Sequence, residues 1–250
     1  MAKQGGLGMA CYVDGVDLSG DIGSIGSISG VVNLQDITGI DKSAIERIPL
    51  MRSGSIAFNS WFNPTTVSGQ HANLSTRPTT DRNIVVATAV TVLGDDAAGM
   101  VCKQINYDAN RQQDGSLAFS IEAQSNAFPL EWGEALTAGK RSDSSATNPT
   151  SGLDDLIAPA TTSAFGATMY VHLFSFTGTS VTFTLRDAAT EPTYAAVTGG
   201  GSTAMSAIGA QRWSTSATQS IRRYLSIGTS GTFSNAVFFV IVVRHLAASI

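Results

Sequence analysis

His71, His172 and His245, the pair Glu131 and Glu134, and the run Gly133-Glu134-Ala135-Leu136-Thr137-Ala138-Gly139-Lys140 are where this chain's residue types could do chemistry. The histidines lie far apart in sequence, and His172 alternates with Tyr170 and Phe174, which reads as a structural position on a strand face. Glu131 and Glu134 could serve as acid and base in glycoside hydrolysis, but such pairs are defined by their separation in space. A solvated turn is the default there. The glycine run approaches a phosphate-binding loop and misses it. Five residues separate its glycines instead of four, Arg141 follows the lysine where Ser or Thr is needed, and no buried parallel strand feeds it. No Gly-x-Ser-x-Gly elbow and no His-Glu-x-x-His occur.

Aromatic side chains offer a second kind of chemistry, stacking on sugar rings. Trp61, Phe62, Trp132, Tyr194, Trp213 and Tyr224 read mainly as core or interface anchors. Tyr194 and Trp213, which flank loop-like sequence, are the candidate carbohydrate contacts. Cys11 and Cys102 show no metal-ligand or disulfide-framework spacing and read as two reduced, buried thiols. No catalytic residue, cofactor or metal is expected.

The elements that would hold these residues read as strands. Charged residues make up only 14% of the 250, against roughly 25% in an average globular protein, and Gly, Ser, Thr and Val are abundant. Long solvated helices need more charge than that, so the class is all-β. A surface poor in charge also suits a subunit covered by copies of itself. The formal charge of −4 argues against a sequence-independent nucleic-acid binder. Residues 1–150 carry −5 and residues 151–250 carry +1. The N-terminus has no apolar core of a signal peptide, and the longest apolar run, residues 236–243, is far shorter than a membrane helix requires. A soluble chain made in a reducing cytoplasm is expected.

Along the chain, Asp14-Gly15 between apolar neighbours signals a tight hairpin. Gly54-Ser55-Ile56-Ala57-Phe58-Asn59 returns 61 residues later as Gly115-Ser116-Leu117-Ala118-Phe119-Ser120, and each copy reads as a strand leaving a glycine turn. A short helix is predicted over residues 41–50, where Ser43-Ala44-Ile45-Glu46 fits a capping box. Residues 64–81 read as a loop. Residues 143–166, rich in Ser, Thr, Asp and Pro, have a linker's composition. Beyond them, residues 169–173, 181–186 and 223–227 alternate with period two, and residues 236–243 suit a strand buried on both faces. The predicted division is therefore a domain at 1–142, a linker at 143–166, and a small antiparallel β-sandwich at 167–250.

The run from Ile40 to Asn63, with Leu50-Met51-Arg52-Ser53-Gly54-Ser55-Ile56-Ala57-Phe58 at its centre, resembles the major tail tube proteins of long-tailed, siphovirus-type bacteriophages. In that family a charged segment leads through a Leu-Arg-Asp-Gly type turn into a strand reading Ser-Ile-x-Phe-x-Gly-Phe-Phe. Val13-Asp14-Gly15-Val16-Asp17-Leu18-Ser19-Gly20 and Gln104-Ile105-Asn106-Tyr107-Asp108 are similar to segments of such proteins. The likeness covers residues 10–142 and departs at Ser53 and Ser60, where Asp and Gly are usual. The resemblance implies packed antiparallel sheets with a flanking helix, and hexameric rings closed through strand edges. Rings would stack through loops and the N-terminal arm into a virion tail tube, which would contact other tail proteins and pass DNA along a negative lumen without binding it. The second domain would be displayed outside. The competing reading is a decoration or tail-side protein that binds host-surface carbohydrate.

Overall fold

Alternation of apolar and small polar residues makes strands, and the long strands of this chain pair antiparallel with their neighbours. The computed structural model describes residues 6–76, 79–89, 91–155 and 162–248. Two compact units divide them, and the chain passes between the units four times.

One unit comprises Met1–Ser19, Asn83–Gly99 and Trp132–Ile250, taken over their described residues. Its spine is a pair of long strands, Ala167–Ala188 and Tyr224–Arg244, registered from Ala167 opposite Arg244 to Ala188 opposite Tyr224. Bulges near Ser175 and Gly178 reset that register midway. Gly209–Ser214 and Ala195–Gly201 pair with successive halves of the first strand. Val171, Leu173, Phe183, Leu185, Phe238 and Val240 form one buried cluster. The opposite face of the spine is buried too, at Tyr170, Phe239 and Ile241, so the apolar run 236–243 is covered on both sides. Tyr12, from Ala10–Val13, packs there edge-on against Phe174 with ring centroids 4.9 Å apart. Its strand turns through Asp14 (φ 47°) and Gly15 (φ 81°), the two-residue hairpin that Asp-Gly predicts.

The other unit comprises Gly20–Arg82 and Met100–Glu131. Ile22–Asp36 pairs with Arg47–Trp61, which pairs with Leu117–Ser125, and Asp108–Arg111 pairs with the start of that strand. The sequence Ile22-Gly23-Ser24-Ile25-Gly26-Ser27-Ile28 has period three, yet it forms a strand. Register shifts between Ile22 and Ser24, and between Ile25 and Ser27, give Gly23 and Gly26 the extra positions. Each shift returns the next isoleucine to the inner face, with Ile25 opposite Phe58 and Ile28 opposite Ile56. Ser24 and Ser27 are left on the outer face.

Three expectations change at this level. Residues 41–46 form the connection at the tip of the long hairpin, and Arg47 already pairs with Asp36, so no helix forms over 41–50. A helix that short needs a surface to pack on, and this segment is exposed. The short helix lies instead at Gln70–Leu74, inside the expected loop, where Gln70 and Leu74 are buried. The stretch 143–166 is stitched into the sheet where described. Asp143 and Asp154 sit in strands paired with Tyr224–Arg244, and Thr147 bridges Thr229. Residues 156–161 of that stretch, and residues 1–5 of the expected N-terminal arm, lie outside the described residues. The compact units are each discontinuous in sequence. Finally, Gly54 does not turn the chain. It lies mid-strand opposite Gly30, whereas Gly115 does occupy a turn at φ 91°.

Candidate functional site

The long hairpin carries the least covered surface of the unit it belongs to. Beyond Gly30 and Gly54 its two strands continue as a ribbon, with Val31 opposite Ser53, Val32 opposite Arg52, Leu34 opposite Pro49 and Gln35 opposite Ile48. Val31, Val32, Leu34, Ile48 and Leu50 are each exposed by 41–58%, and Met51 by 80%. Ile37, Ile40 and Ile45 at the tip are likewise exposed. Hydrogen bonds hold the tip in shape: the amide and hydroxyl of Thr38 donate to Asp36 Oδ1, and the Thr38 hydroxyl accepts from the Glu46 amide at 2.9 Å. The arm is therefore an ordered ribbon, apolar and uncovered. An isolated two-stranded ribbon is marginal in water, so this geometry calls for a partner.

At the root of the arm the same sheet presents a hydroxyl- and amide-rich face. Asn59 Nδ2 donates to Ser24 Oγ at 3.3 Å and the Ser120 hydroxyl donates to Asn59 Oδ1 at 2.9 Å, linking three neighbouring strands. Among the described residues, Ile22–Asp36 pairs on one side alone, so it is an edge with open backbone groups.

The residues singled out for chemistry are dispersed. His172 is fully buried, its Nδ1 accepts from the Gly15 amide at 3.2 Å, and burial drives its pKa down to about 3. The ring is neutral and serves packing. His71 Nδ1 meets the Tyr107 hydroxyl at 2.9 Å, and His245 Nε2 meets Thr168 Oγ1 at 2.9 Å. Glu131 and Glu134 stand three positions apart on the strand Glu131–Ala135, so alternation sends them to opposite faces. They do not form an acid–base pair. Lys140, the would-be phosphate lysine, is bound to Asp17 at 2.5 Å and lies over the Phe174 ring at 4.6 Å. Burial raises the Asp17 pKa, but hydrogen bonds from Lys140 and Ser19 outweigh it and hold the carboxyl below its usual range.

Glu134 lines a cleft of about 220 Å³ with Asp96, Asp155, Arg244 and Trp132. Burial first, then the charges of Asp155 and Asp96, push its pKa up to about 7, with Arg244 opposing them. Arg244 donates to Asp155 Oδ2 and Ser163 Oγ, both at 3.2 Å. Among the described residues no group of three or more His, Cys, Asp or Glu is placed to hold a metal.

Tyr194 is buried, and its hydroxyl donates to Glu191 Oε1 at 2.6 Å. Trp213 packs against the large apolar cluster and its Nε1 donates to the Gly200 carbonyl at 2.9 Å. The residues that sequence reasoning passed over are those of the arm. Their signal was present as a Val/Leu/Ile/Met-rich stretch on both sides of residues 37–46, masked by a capping-box pattern that suggested helix.

No known protein family matches the chain, and no curated protein matches it. Among solved structures it is similar to the crystal structure of SPP1 Dit (gp 19.1), described as a paradigm of the hub adsorption apparatus in phages infecting Gram-positive bacteria. The TM-score is 0.34 at 11% identity, covering 95% of this chain and 99% of that one. Among the described residues, no helix is long and apolar enough to cross a membrane.

Proposed function

We propose that this chain is a structural subunit of a bacteriophage tail that works by assembling with copies of itself into the tail tube. The observation that carries the reading is the uncovered apolar arm over residues 30–53, joined to an open-edged sheet. Covering Val, Leu, Ile or Met side chains in an interface contributes roughly 1.5–3 kcal/mol for each one fully buried. The occupant is another copy. The tail tube resemblance centres on residues 40–63, which include the tip and returning strand of this arm. The bulges at Gly23 and Gly26 blunt the edge near the root, so contact along the arm is the principal association.

Six subunits per ring, stacking of rings, contacts with other tail proteins and a virion location follow from the resemblance. The −5 charge of residues 1–150 suits a conduit along which DNA slides without adhering. No bond is made or broken in this function. The alternative, host carbohydrate bound through Tyr194 and Trp213, has less support, because the polar atoms of both are committed within the chain. Negative-stain imaging of the purified protein tests the reading. Rings about 10 nm across, on the order of the size of a closed multi-subunit barrel, or tubes built from them, are expected.

A further inference from the structure

We infer that the cleft above Gly23 is a binding site for a neutral saccharide, with Trp61 as its stacking platform and Asn59, Asn110 and Gln112 as its hydrogen-bonding partners. The cleft measures about 430 Å³, within the range of small-ligand sites, and all of its lining belongs to one unit. Its lining contains no charged side chain. A phosphate, carboxylate or ammonium ligand would find no counter-charge there, whereas a molecule of uncharged hydroxyls would find its own chemistry.

Trp61 is half exposed and held in place. A Cβ built on Gly23 would lie 2.8 Å from Trp61 Nε1, so the indole rests against the bare backbone of the bulge. The indole is seated against Gly23 while half of its surface stays open, which leaves room to stack the C–H face of a pyranose. Beside it, the amide of Asn59 is oriented by its bonds to Ser24 and Ser120, each using one of its sites. One N–H and one lone pair remain for a ligand. Among the described residues, the side-chain amides of Asn110 and Gln112 make no hydrogen bond within the chain. The backbone that carries Gln112 is fixed by a turn in which its amide donates to the Ser116 carbonyl at 2.9 Å. Rigid indole plus amides that both donate and accept match vicinal sugar hydroxyls, which do the same.

The inference stands apart from the assembly reading, because the cleft uses none of the exposed apolar residues of the arm. The test presents the full-length protein to a panel of neutral oligosaccharides, free and immobilised, following indole fluorescence and retention, with self-assembly measured in parallel. At least one neutral sugar is expected to bind. Trp61→Ala is expected to weaken it at least tenfold and Gln112→Ala several-fold, with unchanged thermal unfolding and assembly. Gly23→Ala, which displaces the indole without removing it, is expected to weaken binding as well. The inference is overturned if no neutral sugar binds at millimolar concentration, or if binding survives Trp61→Ala. It is equally overturned if Trp61→Ala abolishes assembly while no sugar binds, since the face would then be a contact between copies.

Discussion

Asn59 and Ser120 stand directly opposite each other on neighbouring strands, and the Ser120 hydroxyl donates to Asn59 Oδ1 at 2.9 Å. They occupy the same place in the two copies of the repeated phrase. The copies are therefore antiparallel neighbours that cross at their equivalent last residues, with Phe58 opposite Ile121 on the buried side. The repetition marks a sheet built from two like strands, and its polar outer residues make the face on which the proposed cleft lies.

The two glycines that open those phrases are retained for different reasons, and substitution separates them. At Gly54 a Cβ would lie 2.4 Å from Leu130 Cβ and 2.8 Å from its backbone nitrogen, while Gly115 has φ 91° and a Cβ there would meet only the end of the Arg111 side chain, at 3.9 Å. Gly54→Ala is expected to cost about 1–3 kcal/mol through overpacking, and Gly115→Ala about 1–2 kcal/mol through backbone strain. Denaturant unfolding of both variants checks the two losses.

Asp143 lies at the start of the stretch that reads as linker, yet it accepts two hydrogen bonds from Arg141, at 2.8 and 2.6 Å, and one from the Thr229 hydroxyl at 2.7 Å. Asp143→Ala would leave a largely covered guanidinium without its partner. A loss of about 2–4 kcal/mol is expected in chemical unfolding, against less than about 0.5 kcal/mol for Ser145→Ala on the exposed side.

His172 and Glu134 bound the pH range of greatest stability from opposite sides. The folded pKa of His172, about 3, lies below its ordinary 6.5, so the unfolded chain takes up a proton first and the His172 contribution falls as pH drops below 6.5. The loss by pH 5 is on the order of 2 kcal/mol. The folded pKa of Glu134, about 7, lies above its ordinary 4.5, so its contribution is fully present below 4.5 and is lost as pH rises through 7. Thermal unfolding across pH 4–8 is expected to show a shallower acid limb in His172→Gln and a flatter neutral limb in Glu134→Gln.

Much of the sheet structure was legible in the residues themselves. Asp14-Gly15 is the hairpin its sequence predicts, and the unbroken apolar run 236–243 is buried on both faces. What misled was information a local pattern does not contain. Ser43-Ala44-Ile45-Glu46 satisfies a helix cap, but a helix there would have no surface to pack on, and the pairing of Asp36 with Arg47 takes over. Residues 143–155 look like a linker because Ser, Thr and Asp favour solvent, while their partners on Tyr224–Arg244 lie about 70–90 residues away. The saccharide cleft was hidden similarly, since Trp61 meets Gly23, Asn110 and Gln112 only after three separate strands align.

The account turns on the arm, and sedimentation of the wild type beside a Val32→Asp/Leu34→Asp/Leu50→Asp variant tests it most directly. All three side chains are exposed, so the variant is expected to keep the wild-type unfolding transition within about 1 kcal/mol. The wild type is expected to sediment as rings or longer assemblies, and the variant as a monomer. A wild type that stays monomeric at high concentration, or a variant that assembles as readily as the wild type, would contradict it.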